Sequence, residues 1–178
     1  MGRNVVIIGS NRGIGLELTK SYLTAGDKVY AVCRNSSKDL EATEAEVIMG
    51  IDVTADDYQH QIHQALKDTK IDILIHNAGI LKGDSFPELD LQMMRKQFEV
   101  NSLGPLKTVL ALKDNLSDGS KIGLVTSRVG SIDDNSSSNN YGYRTSKTAL
   151  NMIGKCLSLD LKDQGIAVAL LHPGYVKK

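Results

Sequence analysis

Six short, nearly unbroken apolar runs punctuate this chain, at residues 4–8, 28–32, 47–51, 71–75, 121–126 and 166–171, each of strand length and rich in valine, isoleucine and leucine. A strand with one wet face alternates apolar and polar residues, so a continuous apolar run predicts a strand covered on both faces. Between the runs, apolar residues recur three and four apart and predict helices at 13–25, 55–69, 89–115 and 143–164, with a weaker one at 36–43. Strand–helix alternation of this kind predicts an α/β fold: a doubly wound parallel sheet with right-handed crossovers. No internal repeat is evident, and the polar Asp/Asn/Ser run at 133–140 reads as a surface loop.

Composition narrows the picture. A length of 178 residues fits one domain spanning 1–178, long enough to bury a substantial core. Basic and acidic residues balance at 21 each, so no global field argues for a nucleic-acid or membrane partner. Tryptophan is absent and aromatics are scarce, which leaves little material for base-stacking platforms. No apolar run approaches the length of a membrane span, and the chain enters Val5-Val6-Ile7-Ile8 without a signal-peptide pattern. Cys33 and Cys156, far apart and in apolar surroundings, read as buried free thiols of a reducing compartment. These features predict a soluble cytoplasmic protein.

The candidate chemistry clusters at strand ends. Gly9-Ser10-Asn11-Arg12-Gly13-Ile14-Gly15 follows the first run and opens the first helix. Glycines there permit a tight turn and close backbone approach, and a helix N-terminus presents N–H groups and positive potential to a pyrophosphate. The spacing is G-x-x-x-G-x-G, because Leu18 holds the third glycine position of the commoner G-x-G-x-x-G. After the second run no acidic residue stands ready for a ribose 2′-hydroxyl; Arg34 is there instead, and Arg12 lies in the glycine turn. Two guanidiniums suit a 2′-phosphate, which points to NADP(H) over NAD(H). Asp52, after the third run, is placed either to accept from an adenine amino group or, with Thr54, to cap the next helix.

The fourth run ends in His76-Asn77-Ala78-Gly79, small residues that admit a ligand near a topological switch point. His76 itself reads as a hydrogen-bonded packing residue, and His60 and His63, lacking a third ligand, as surface residues with no metal. Within the helix predicted at 89–115, Asn101 precedes Gly104-Pro105. Proline has no N–H, so either the helix runs through and kinks with the Asn101 carbonyl left free, or Pro105 starts a second segment. Ser127 ends the fifth run; such a serine is commonly a turn-former. Tyr143 and Lys147 lie four apart on one helix face, where an ammonium close to the phenol would lower the tyrosine pKa.

In chain order, Gly9-x-x-x-Gly13-x-Gly15, Asp52, Asn77-Ala78-Gly79, Asn101, Ser127, Tyr143-x-x-x-Lys147 and Pro173-Gly174 jointly resemble the short-chain dehydrogenase/reductase family, over residues 4–176. The wording of Val125-Thr126-Ser127-Arg128, Tyr143-Arg144-Thr145-Ser146-Lys147 and Leu171-His172-Pro173-Gly174 is similar to its C-factor and sniffer-type carbonyl reductase branch. The resemblance implies a Rossmann fold and hydride transfer between NADP(H) and a small carbonyl or alcohol substrate. Tyr143 would be the general acid/base, and Lys147 would tune it and hold the nicotinamide ribose. Ser127 would position the substrate oxygen, and Asn101, through the carbonyl freed by Pro105, would hold a relay water.

Implied cofactor contacts are Gly9, Asn11, Arg12, Gly13, Ile14 and Gly15 of the first turn, then Arg34, Asp52 and Val53. Asn77, Ala78, Gly79, Tyr143, Lys147, Pro173, Gly174 and Val176 complete the implied set. The family habit is a homodimer or homotetramer through the two long helices. The C-factor likeness also implies an alternative, a nucleotide-binding signalling or regulatory protein with little or no turnover. The loop at 131–140 is expected to border the substrate mouth. The family pattern continues past Val176 into a threonine, a substrate lid and a last strand; Lys178 stands where that threonine is usual, so the resemblance implies a C-terminally incomplete chain.

Overall fold

The computed structural model describes residues 2–174. Six strands form one sheet: β1 (Asn4–Ile8), β2 (Lys28–Val32), β3 (Glu46–Ile48), β4 (Ile73–His76), β5 (Lys121–Val125) and β6 (Ala167–Leu171). Their order is β3-β2-β1-β4-β5-β6, and every pairing is parallel. The helices are α1 (Gly13–Thr24), α2 (Lys38–Glu41), α3 (Tyr58–Leu66), α4 (Leu91–Phe98), α5 (Gly104–Leu112) and α6 (Tyr141–Asp160). This is the doubly wound, Rossmann-type sheet that the apolar runs predicted.

The continuous runs are explained by burial on both faces. Val5, Ile7, Val29, Ile73 and Ile75 pack toward Leu18, Tyr22 and Leu23 of α1. Their neighbours Val6, Ile8, Leu74, Ile122 and Leu124 turn the other way, among Ile62 of α3, Leu112 of α5 and Leu150 of α6. Burying each such aliphatic side chain contributes about 1.5–3 kcal/mol, and period-two alternation sends half of them to each layer.

The long helix predicted at 89–115 runs through without a break, but not as one regular helix. α4 passes into a π-helical turn (Glu99–Leu103), then α5, then a 3-10 turn (Lys113–Asn115). Both earlier readings of Pro105 hold in part: the chain stays helical, and the proline sits at the start of α5. The wide turn absorbs the missing N–H, with the amide of Gly104 reaching back to the carbonyl of Glu99.

Other expectations are corrected. α3 starts at Tyr58, with Asp57 as its N-cap residue, so neither Asp52 nor Thr54 begins it. Cys33 is buried, but Cys156 is exposed on α6. His63 is half-buried rather than superficial, its Nδ1 3.2 Å from the Ala111 carbonyl oxygen. β6 is an edge strand whose Leu170 and Leu171 are exposed. Among the described residues no helix is long and apolar enough to cross a membrane.

Candidate active site

The strand order reverses between β1 and β4, so their carboxyl ends part and leave a crevice there. The glycine turn fills the β1 side. Gly9 adopts φ +85°, and a Cβ on it would meet the Ala78 amide nitrogen at 2.6 Å. At Gly15 a Cβ would sit 2.0 Å from the Gly9 carbonyl oxygen. Asn77 binds the same oxygen, its Nδ2 donating at 2.7 Å, so it locks the two strand ends together. The N-cap residue of α1, Arg12, is extended and gives no side-chain cap, so the first-turn amides around Gly13, Ile14 and Gly15 face outward without one.

Beside this turn lies a cavity of about 470 Å³. Gly9, Asn11 and Arg12 form one wall; Arg34, Asp52 and Val53 form another; Ala78 and Gly79 close the inner end. The sequence reading missed Ile80, Lys82, Met93, Lys96 and Val100, which line it too. Val100 carried a signal in its place directly before Asn101; the two lysines carried none. The cradle of close-packed glycines, an uncapped helix start and two arginines fits a dinucleotide with an extra phosphate.

Asp52 does not cap α3, and its carboxylate is held at the cavity wall. Its Oδ1 accepts from the amide of Thr54 at 2.9 Å and from the Thr54 hydroxyl at 2.8 Å, a local turn. Its other oxygen pairs with Arg34 at 3.4 Å. Burial pushes the Asp52 carboxyl upward, but Thr54 and the Arg34 guanidinium together hold it below the usual carboxylate range. The Arg34 that faces the cavity is thus already oriented by a carboxylate.

The second half of the crevice holds the remaining candidates. Asn101 sits fully buried in the π turn. Its Nδ2 donates to the Ile80 carbonyl at 2.9 Å and to Ser146 Oγ at 3.0 Å, while its Oδ1 accepts from the Ile80 amide at 2.8 Å. Lys147, buried on α6, donates from Nζ to the Val125 carbonyl at 2.8 Å. A Cβ on Gly79 would lie 3.2 Å from Asn101 Oδ1 and 3.7 Å from Lys147 Nζ, so these three positions converge. Ser127 is a turn-former, its Oγ accepting from the Val129 amide at 3.4 Å, and its hydroxyl lies near enough to the Tyr143 phenol to lower the phenol's pKa.

The electrostatics differ from the expected tuning. Burial raises the Tyr143 phenol above its ordinary value, and the nearby Ser127 hydroxyl offsets only part of that. Lys147 does not reverse this balance: its ammonium is directed at Val125 and lies 5.7 Å from the tyrosine ring centroid. Tyr143 is therefore a protonated donor near neutrality. Desolvation pulls Lys147 down to about 8.

His76, on the α6 face of β4 by strand alternation, is buried with no partner for either ring nitrogen among the described residues. It is not the hydrogen-bonded packing residue expected; burial and then the Lys147 charge push it down to about 3 and keep it neutral. Pro173 and Gly174 follow β6, where His172 Nδ1 accepts from the Arg128 amide at 3.3 Å, next to Ser127. Val176 lies outside the described residues. Arg144 holds the loop at 131–140 by donating to the Asn139 carbonyl, Asn135 and Ser137. Among the described residues no group of three or more His, Cys, Asp or Glu is placed to hold a metal ion.

The Lys147 value carries a prediction. A lysine at about 8 when folded and 10.5 when unfolded means the unfolded chain holds the extra proton between those values. Stability then rises with pH across that window. Wild type is expected to gain on Lys147→Met there, by about 3 kcal/mol at most. Urea midpoints of the two proteins that run parallel from pH 7 to 10.5 would contradict it.

A family model described as short chain dehydrogenase matches residues 3–178. A curated relative, 1-hydroxy-2-glutathionyl-2-methyl-3-butene dehydrogenase of Rhodococcus sp. (strain AD45), is 40% identical over 174 residues, covering 97% of this chain and 77% of that protein. C-signal of Myxococcus xanthus is 39% identical over 110 residues, covering 60% of this chain and 66% of that protein. Among solved structures, a carbonyl reductase from Pseudomonas aeruginosa PAO1 in complex with NADP superposes with a TM-score of 0.89 at 30% identity, covering 100% of this chain and 81% of that one.

Proposed function

The chain belongs to the short-chain dehydrogenase family of oxidoreductases, and from that premise we propose that it interconverts a small carbonyl compound and its alcohol with NADP(H), Tyr143 serving as the general acid in the reducing direction. The observation that carries the reading is the meeting of Ser127, Tyr143, Lys147 and Asn101 at the carboxyl rim of the sheet, beside a cavity shaped for a dinucleotide.

Bound in that crevice, the nicotinamide cofactor supplies or takes up the hydride. The protein's own residues handle binding and the proton. Gly9, Gly13, Ile14 and Gly15 would present backbone to the pyrophosphate, and Asp52, Val53 and Ala78 would border the adenosine. Tyr143, held protonated by burial, donates its hydroxyl proton to the substrate oxygen as negative charge develops there. Ser127 hydrogen-bonds the same oxygen and fixes its distance from the phenol. Lys147 would stabilise the phenolate as it forms and hold the ribose hydroxyls of a bound cofactor, and with a pKa of about 8 it is able to return a proton to Tyr143. Asn101 pins the π turn beneath Lys147, where a relay to solvent would pass. The related carbonyl reductase in complex with NADP and the related dehydrogenase support this substrate class.

NADPH consumption with a panel of small aldehydes and ketones tests the reading. Tight NADPH binding with no turnover of any of them would favour the second reading, a regulatory nucleotide binder, for which the likeness to C-signal speaks. Against that stands the complete Ser127, Tyr143 and Lys147 set, which a pure binder does not need. Self-association belongs to the same proposal, through Leu110 of α5 and Met152 and Leu159 of α6, all exposed apolar residues.

Cofactor choice is tested separately. Each charge-assisted contact to a phosphate contributes about 1.5–3 kcal/mol, so Arg12→Ala with Arg34→Ala is expected to cut the NADPH-to-NADH affinity ratio on the order of a hundredfold or more. An unchanged ratio by fluorescence titration would make the two arginines surface residues only.

A further inference from the structure

Residues 80–84 cross from the end of the Asn77–Gly79 segment to the start of α6, and their backbone is paired in an unusual way. Asn101 and Gln97, four apart on one helix face, take alternate residues of this segment. Asn101 pairs both backbone groups of Ile80, the amide donating to Oδ1 at 2.8 Å and the carbonyl accepting from Nδ2 at 2.9 Å. Gln97 does the same for Lys82, the amide donating to Oε1 at 3.0 Å and the carbonyl accepting from Nε2 at 3.4 Å. The period of two along an extended segment thus matches the period of four on a helix, and two amide side chains replace a partner strand.

Asp84 is the next residue in that alternation, and it turns to α6. Its carboxylate accepts from the Tyr141 amide at 2.5 Å and the Gly142 amide at 3.2 Å, and its carbonyl accepts from the Asn140 amide at 2.8 Å. α6 has no cap of its own, since Asn140 is left-handed at φ +54° and its side chain caps nothing. The helix that carries Tyr143 is therefore capped by a carboxylate from a distant segment. Gln97 is fully buried between the two, and a Cβ on Gly142 would meet its Nε2 at 2.4 Å.

We propose that Asp84 and Gln97 are positioning residues for the reaction: they clamp residues 80–84 between α4 and α6 so that the segment beside the cofactor and the first turn bearing Tyr143 hold one geometry. The proposal rests on Tyr143 being the acid. Asp84 does not line the 470 Å³ cavity, whereas Lys82 does, so releasing the Asp84 end disturbs the phenol and spares the dinucleotide.

The test compares Asp84→Ala, Asp84→Asn and wild type by kcat, by NADPH dissociation constant and by amide hydrogen exchange. In Asp84→Ala, kcat and the protection of the Tyr141 and Gly142 amides are each expected to fall about tenfold, with NADPH affinity within about twofold of wild type. Asp84→Asn keeps an acceptor oxygen and is expected to recover kcat to within about threefold of wild type. Unchanged protection at Tyr141 and Gly142 would overturn the clamp. Lost protection with wild-type kcat would overturn its part in the reaction. Full turnover by Tyr143→Phe would instead remove the acid assignment, leaving the exchange result to stand by itself.

Discussion

Tyr143→Phe is expected to fold as wild type, bind NADPH with nearly wild-type affinity, and reduce carbonyl substrates on the order of 10²–10⁴-fold more slowly. The ring of Tyr143 is partly buried and remains in the variant; only the hydroxyl is lost. That hydroxyl is the proposed proton donor, held in its neutral form by burial, with the Ser127 hydroxyl beside it. Without it, the developing alkoxide keeps the Ser127 hydroxyl but has no acid within reach, so the loss falls on the chemical step. The 470 Å³ cavity beside the glycine turn is lined by other residues, which keeps the binding readout independent of the kinetic one. Single-turnover rates under saturating NADPH measure the effect. Turnover equal to wild type would remove Tyr143 from the mechanism.

Gly15→Ala is expected to weaken NADPH binding by at least about tenfold and to lower the thermal midpoint as well. The added Cβ would lie 2.0 Å from the Gly9 carbonyl oxygen and 2.7 Å from Asn77 Nδ2. Neither neighbour has room to yield. Gly9 is anchored through its amide to the Val32 carbonyl at 2.8 Å, and Asn77 bridges β4 to the turn. The start of α1 must shift, and the first-turn amides proposed to hold the pyrophosphate shift with it. Gly26→Ala supplies the control. It sits at φ +83° with nothing within 4 Å, so it adds backbone strain far from the crevice. It is expected to lower the midpoint while leaving NADPH affinity alone. Isothermal titration and thermal unfolding of both variants separate the two effects; equal affinity for Gly15→Ala and wild type would mean the close approach is not needed for the cofactor.

Much of the site was legible because its parts are local. The glycine turn announces itself by its place between an apolar run and a helical pattern. Tyr143 and Lys147 share a helix face by spacing alone, and Ser127 and Asn77 end strands that the apolar runs mark. What spacing did not reveal is direction and environment. Lys147 was expected to lower the Tyr143 pKa, but its ammonium turns to the Val125 carbonyl, and burial of the phenol dominates. His76 was expected to find a partner, and the packing of α6 over β4 seals it away from one. Asp52 was weighed between adenine and a helix cap, and it is held by Thr54 and Arg34.

The wide turn at Asn101 is an intermediate case. Pro105 flagged the absence of one hydrogen bond, yet a kink, a new segment and a π turn all satisfy that local fact. The choice was made by Asn101 itself, which is tied at once to Ile80 and to Ser146 on α6. Gln97 and Asp84 gave no signal at all along the chain, because each acts on backbone groups 15 or more residues away.

By itself, then, the sequence determined the strand–helix alternation, the parallel sheet, the glycine turn and the residue types of the proposed catalytic set. Those follow from hydrophobic period, conformational freedom and spacing, which are properties of neighbouring residues. The tertiary structure alone decided which way the lysine points, how deeply each group is desolvated, and what caps the helix that bears Tyr143. Hydrogen-bond partners and local dielectric depend on segments that meet only when the chain folds.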